Sequence, residues 1–256
     1  MKKIALIGDS IAHSLSPKLF EAAYNHDIAS NLVEEFSYNL LDYSSLNAAM
    51  TIFLNEDYYG ANITSPYKKE IFSYCTELDI TAKQTGAANL ILKQENGIKA
   101  YNTDCEGVYG PLKTRNLKPC EVIVAGAGGA ARAAIYILKK SGYTVTIVNR
   151  TPGNAAKLAQ EYNVKWATIE SLPQLLKTNK LLVYTIGTTI DALKNEILND
   201  IIILEANYKS PALKNKYCKE YIPGTEWLIY QAVPSFRLFT RTEPNIYAML
   251  KVTNSY

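Results

Sequence analysis

The sequence predicts an α/β protein of two domains, a mixed α/β domain first and a doubly wound parallel-sheet domain after it. Three observations carry this reading. Short β-branched apolar runs alternate with amphipathic segments along the whole chain, no repeat or low-complexity linker interrupts them, and the later runs are apolar at every position. A strand apolar on both sides is covered on both sides, the mark of a parallel sheet flanked by helices.

Taken in order, Lys3 to Gly8 reads as a strand, and Ser16-Pro17 as an N-cap followed by proline at the first helical position. Leu19, Phe20, Ala23 and Tyr24 would face the core. Asn62 to Lys68 reads as a strand end running into a second helix opened by Pro66. The runs Ala88 to Lys93 and Ile98 to Tyr101, joined by Glu95-Asn96-Gly97, predict a hairpin and hence a mixed sheet. A boundary falls near Asn102 to Asp104. Beyond it Val122 to Ala125 predicts a buried strand, Gly129 to Lys140 a helix stopped by Gly142, and Tyr143 to Val148 the next strand. Leu181 to Tyr184 and Ile201 to Leu204 continue the sheet.

Composition narrows the function. The 256 residues carry 27 Lys+Arg against 24 Asp+Glu, a net charge of +3 with no basic block, so a nucleic-acid or anionic-membrane footprint is not expected. Cys75, Cys105, Cys120 and Cys218 are scattered without C-x-x-C spacing, which predicts reduced thiols and neither a disulfide frame nor a metal site. The apolar run Ile4 to Ile7 is too short for a signal peptide, and none reaches the roughly 18 uncharged residues of a membrane helix, so a cytoplasmic protein is expected.

Gly126-Ala127-Gly128-Gly129-Ala130-Ala131 fits G-x-G-x-x-A directly after a strand and before a helix. The first glycine permits a tight turn and the second lets the backbone approach a pyrophosphate. A small third residue packs helix on strand, and the free N–H groups of the helix start hold the phosphates. The same loop could be packed small for its own sake. The next strand ends at Asn149-Arg150-Thr151, near where an NAD-binding domain places an acid, about 20 residues on, against the ribose 2′-hydroxyl. Arg150 stands there instead, a planar cation suited to a 2′-phosphate, which points to NADP.

Three polar segments in the first domain exceed what a core needs. His13-Ser14-Leu15-Ser16-Pro17 sets two hydroxyls at a helix entrance, although Ser16 could be only the cap. Asn62-Ile63-Thr64-Ser65-Pro66-Tyr67-Lys68 projects Asn62, Thr64 and Lys68 at a strand's carboxyl end, where α/β sites form. Asn102-Thr103-Asp104 follows Gly86-Ala87-Ala88-Asn89, with Asp104 a possible cap. His13 and His26 read as structural.

With these segments in hand, the chain resembles the shikimate dehydrogenase family. The family's H-S-x-S-P, N-V-T-x-P-x-K, G-A-x-N and N-T-D patterns correspond to His13 to Pro17, Asn62 to Lys68, Gly86 to Asn89 and Asn102 to Asp104. Its G-A-G-G-A-x-R and N-R-T correspond to Gly126 to Arg132 and Asn149 to Thr151, and its Tyr and Q-A to Tyr208 and Gln231-Ala232. The resemblance implies reversible NADP-linked reduction of 3-dehydroshikimate to shikimate, toward chorismate and the aromatic amino acids. It implies Lys68 and Asp104 as the catalytic pair, and Ser14, Ser16, Thr64, Asn89, Asp104, Tyr208 and Gln231 as substrate ligands. Gly126, Ala127, Gly128, Gly129, Ala130, Asn149, Arg150 and Thr151 would hold the cofactor, without a metal. It further implies a substrate-binding domain of residues 1–102 plus 234–256, with a last helix from about Pro234 to Tyr256, and a Rossmann-type NADP-binding domain of residues 103–233. Homodimer and monomer both stay open.

The sequence departs from the family at several points. Ser10 replaces a usual proline, Phe20-Glu21 a usual His-Asn, Leu90 a threonine beside Asn89, and Val183-Tyr184-Thr185 the usual N-A-T. Asn154 stands where many NADP-using members carry a second arginine, with Lys157 one turn on. A quinate/shikimate dehydrogenase using NAD or NADP, and a non-catalytic NADP-binding regulatory protein, are the alternative expectations.

Overall fold

The computed structural model describes residues 2–24, 36–194 and 196–254, which leaves His26 outside the described residues. The chain divides into two compact units, Met1–Thr103 with Gln231–Tyr256, and Asp104–Tyr230.

The first unit contains β1 (Lys2–Gly8), α1 (Ser16–Ala23), β2 (Phe36–Asp42), α2 (Leu46–Asn55), β3 (Tyr58–Ile63), β4 (Glu77–Leu78), α3 (Ile80–Thr85), β5 (Leu90–Gln94) and β6 (Gly97–Tyr101). Its sheet runs β2-β1-β3-β5-β6-β4. β1 is parallel to β2 and β3, whereas β5 runs antiparallel to β3 and to β6, so the sheet is mixed, as the hairpin signal predicts. Gly97, at φ +129°, opens β6 rather than sitting within the turn. One face buries Ala5, Ile7, Ala61, Ile63 and Ile91 against Met50 and Phe53 of α2. Phe20 of α1 meets Tyr38 at 4.6 Å and Phe239 at 5.9 Å between ring centres.

The second unit contains α4 (Asp104–Thr114), β7 (Glu121–Ala125), α5 (Gly129–Lys140), β8 (Thr144–Asn149), α6 (Pro152–Tyr162), β9 (Lys165–Thr168), α7 (Leu172–Leu176), β10 (Leu181–Tyr184), β11 (Leu198–Glu205) and β12 (Cys218–Ile222). Its strands are all parallel in the order β12-β11-β10-β7-β8-β9. Side chains alternate across a strand. Val122 and Val124 therefore enter one core with Val145 and Ile147, while Ile123 and Ala125 enter another with Leu182 and Ile203. This two-sided burial is why β7 is apolar at consecutive positions, and the α/β expectation holds.

Three local expectations are corrected. Ser16 does not cap α1: it is the first helical residue, Leu15 holds the cap position, and Ser14 Oγ accepts the Ser16 N–H at 3.2 Å. Pro66 opens no α-helix. The Ser65-Pro66 bond is cis, Tyr67 N–H closes a turn onto Thr64 C=O at 2.9 Å, and a 3-10 segment, Glu70–Tyr74, follows. Nor does a helix start at Pro234, which lies inside α8 (Gly224–Thr240) and is followed by a separate α9 (Ile246–Asn254). A proline within a helix removes one N–H and presses on the carbonyl four residues back. Here that carbonyl belongs to Tyr230, where the division into units falls. Burial of Trp227, Leu228, Ala232, Phe236 and Phe239 carries the helix through.

Burial pushes the Tyr162 and Tyr184 phenols up to about 12. The fold keeps these protons while phenols of the unfolded chain ionise near pH 10. The stability they contribute is complete below about pH 10 and falls as pH rises toward 12. Urea midpoints measured across this range should fall above about pH 10, with Tyr184→Phe flattening the decline; an unaltered slope would contradict the assignment.

Candidate active site

The polar residues of the first unit collect at one end of its sheet. Parallel β1 and β3 finish side by side: Thr64 N–H donates to Ile7 C=O at 2.9 Å and Asp9 N–H to Ser65 C=O at 3.3 Å. The loop after β1 carries Ser14 and leads to the buried Ser16, and the loop after β3 carries Thr64 and Lys68. Because β5 is antiparallel, its beginning lies at this same end, with Leu90 opposite Asn62. Lys68, half-buried, has its backbone tied there, since its C=O accepts the Ala88 N–H at 2.7 Å.

Asn89, 2% exposed, is the most heavily bonded of these side chains. Its Oδ1 accepts the Thr103 N–H at 2.7 Å, and its Nδ2 donates to Thr103 Oγ1 and Gln231 Oε1, each at 2.9 Å. Tyr38 O–H donates to Asn62 Oδ1 at 3.0 Å, and Asn62 Nδ2 donates to Asn89 C=O at 3.2 Å. The structure thus joins Asn89 directly to Gln231. It adds two side chains outside the ligand set that the resemblance implies, the fully buried Ser235 and Thr103 of the N-T-D segment, whose hydroxyls lie 2.9 Å apart.

In the second unit the candidate site residues, and Thr185 beside them, stand at the carboxyl ends of parallel strands, the position where α/β sheets bind ligands. Gly126 follows β7, Asn149 ends β8, Thr185 follows β10 and Tyr208 follows β11. Gly126 has φ +121°, and a Cβ there would lie 2.2 Å from Thr185 Oγ1, so this position requires glycine. Gly128 differs. It is the N-cap of α5 with ordinary backbone angles, and a Cβ there would meet nothing within 4 Å. The loop and helix start therefore leave open space beside their backbone, the cradle a pyrophosphate fills. Fully buried Ala131 packs α5 closely. Arg150 is exposed, and Thr151 caps α6 by backbone position. These residues fit a dinucleotide carrying a 2′-phosphate.

Arg132, which completes the glycine motif, turns elsewhere. Its guanidinium grips Glu161 with two bonds of 2.6 and 2.7 Å and lies 6.0 Å from the Tyr162 ring centre, joining α5 to α6. Asp104 is 4% exposed at the start of α4, and Trp227 Nε1–H donates to its Oδ1 at 3.3 Å. Trp227 also leaves no room for a side chain at Gly107, where a Cβ would lie 2.5 Å from the indole. No local motif marks Trp227 as a partner of Asp104.

A parallel sheet with a glycine loop between β7 and α5, and a mixed sheet gathering hydroxyl and amide groups, define a two-unit dinucleotide-binding α/β protein. Residues 6–91 match the family described as Shikimate dehydrogenase substrate binding domain, and residues 111–213 the family described as Shikimate / quinate 5-dehydrogenase. The shikimate dehydrogenase (NADP(+)) of Methanococcus maripaludis is 32% identical, over 99% of this chain and 97% of its own length. The pentafunctional AROM polypeptide of Schizosaccharomyces japonicus is 30% identical over 93% of this chain, which spans 17% of that longer protein. The crystal structure of shikimate 5-dehydrogenase from Thermus thermophilus in complex with NADP(H) and shikimate is similar with a TM-score of 0.82. It is 25% identical, covering 100% of this chain and 99% of its own. The chain belongs to the shikimate dehydrogenase family.

The two loop glycines should separate experimentally. Gly126→Ala forces a side chain into positive φ against Thr185 and should cost about 1–3 kcal/mol of stability. Gly128→Ala, at an N-cap with ordinary backbone angles and open space, should lower the melting temperature less and should weaken NADP+ binding measured by calorimetry. Equal melting temperatures for both variants would refute the distinction.

Proposed function

We propose that the protein catalyses the reversible NADP-linked reduction of 3-dehydroshikimate to shikimate, the dehydrogenase step leading toward chorismate and the aromatic amino acids. The observation that carries this reading is the presence of both Lys68 and Asp104 in a chain that also holds the glycine cradle, because a pure binding protein needs neither. Gly126 to Ala130 hold the pyrophosphate, Asn149 to Thr151 the adenosine ribose, and Arg150 its 2′-phosphate. NADP(H) bound there supplies the hydride exchange.

Lys68 and Asp104 act at the reacting oxygen of the substrate. Reduction of the ketone develops alkoxide charge, which the Lys68 ammonium stabilises and then quenches by giving up a proton; oxidation returns the proton to the amine. Asp104 holds the hydroxyl and orients the exchange, its carboxylate positioned by the Trp227 N–H. Ser14, Ser16, Thr64, Asn89, Gln231 and Tyr208 hold the remaining hydroxyls and the carboxylate. Hydroxyl and amide groups suit a polyol because they both donate and accept. The cytoplasm is the proposed location, in keeping with four free thiols at Cys75, Cys105, Cys120 and Cys218.

The test is NADPH formation followed by absorbance, with shikimate and quinate assayed separately. Shikimate should be turned over, and Lys68→Ala should lower kcat about 10²–10⁴-fold. Absence of turnover with either compound, together with unchanged shikimate binding by Lys68→Ala, would establish the binding-protein alternative. Arg150→Ala should raise KM for NADPH far more than for NADH; equal effects would remove Arg150 from the phosphate site.

A further inference from the structure

A glutamine amide can face a ligand with its N–H2 or with its oxygen, and its neighbours decide which. For Gln231 the choice can be traced to a donor of fixed identity. The backbone N–H of Thr103 donates to Asn89 Oδ1 at 2.7 Å, and a backbone N–H can only donate. This fixes the Asn89 amide with its Nδ2 toward Thr103 Oγ1 and Gln231, each at 2.9 Å. Both Nδ2 hydrogens are then used, and each partner must accept. Gln231 therefore turns Oε1 toward Asn89 and Nε2 away from it, and Nε2 has no protein partner among the described residues.

Two further hydroxyls hold this direction. Ser235, fully buried, donates to Gln231 C=O at 2.8 Å, so its oxygen is left to accept. Thr103 O–H supplies the proton across 2.9 Å, a shorter contact than its 3.2 Å approach to Asn89 Oδ1, while Thr103 Oγ1 accepts from Asn89. Asn62 Nδ2 also donates to Ser235 Oγ at 3.4 Å. The hydrogen bonds run in one direction: the Thr103 N–H orients the Asn89 amide, and a missing hydroxyl would take away an acceptor or the support of one, loosening the amide and with it Gln231.

We propose that Thr103 and Ser235 are positioning residues that lock Gln231 as an N–H donor, so that it reads an acceptor oxygen of the substrate, a hydroxyl lone pair or a carboxylate. This rests on the reading of Gln231 as a substrate ligand. Ser235 sits one helical turn beyond Gln231, and Thr103 is bonded directly to Asp104, so the lock is built into the chain on either side of the proposed ligands.

Shikimate affinity by calorimetry and steady-state kinetics with NADP+ test the lock in a double-mutant cycle. Thr103→Val, which keeps shape and removes the hydroxyl, and Ser235→Ala should each raise Kd and KM for shikimate about 3- to 10-fold. Under both changes kcat should stay within about twofold and KM for NADP+ should not move. Thr103→Ser should behave as the unaltered protein, and in a Gln231→Ala background each hydroxyl loss should weaken shikimate clearly less than in the unaltered protein. If Thr103→Ser is as damaging as Thr103→Val, or the effects persist at full size without Gln231, the residues act by packing and the lock is wrong. If Gln231→Ala itself leaves shikimate affinity unchanged, Gln231 is not a substrate ligand and the lock falls with that reading.

Discussion

The N–H of Thr103, at the residue where the chain leaves the first unit, ends not on a strand or helix carbonyl but on the side chain of Asn89 at 2.7 Å. The same amide reaches Gln231, the first residue of the returning segment, at 2.9 Å. One buried side chain thus secures both the departure and the return of the chain. Leaving such a buried N–H without an acceptor costs about 1–3 kcal/mol. The bonds are therefore strongly specified: the backbone ahead of the proposed ligand Asp104 is held by one, and the side-chain amide of Gln231 is directed by the other.

Around that anchor the first unit is built by strand direction. Only because β1 and β3 are parallel, and β5 antiparallel, do the serine loop, the Thr64 to Lys68 turn and Asn89 arrive at one end of the sheet. The second unit reaches an equivalent result with uniformly parallel strands, whose carboxyl ends carry Gly126, Asn149, Thr185 and Tyr208. Its glycines divide the labour: Gly126 is demanded by backbone conformation and Thr185, whereas at Gly128 neither backbone angle nor a neighbouring atom excludes a side chain. The open space at Gly128 is where the proposed pyrophosphate would approach the backbone.

The alternation of elements, the two-sided apolar strands and the glycine loop are legible in the sequence because each is written in consecutive residues. Lys68, Asn89 and Asp104 are legible through motifs of the family. What escapes is non-local. Ser16 is not the cap, since the cap position falls at Leu15, whose backbone is already helical, and the Ser14 hydroxyl takes the Ser16 N–H. Reading Pro234 as a helix start hides the fact that Trp227, Gln231 and Ser235 recur at helical spacing along α8. The apolar burial that carries a helix through a proline comes from tertiary packing, and no window around residue 234 contains it. Arg132 reads in the sequence as part of a ligand motif, but Glu161 on the next helix claims it, a pairing set by packing of α5 on α6.

The central claim, that Asn89 holds the chain at Thr103, is tested most directly by hydrogen exchange of the Thr103 amide followed by NMR. The account predicts protection comparable to that of the strand amides of β3 and β5, lost in Asn89→Ala while those strand amides stay protected. Exchange of the Thr103 amide as fast as an exposed loop, or protection unaffected by Asn89→Ala, would contradict it.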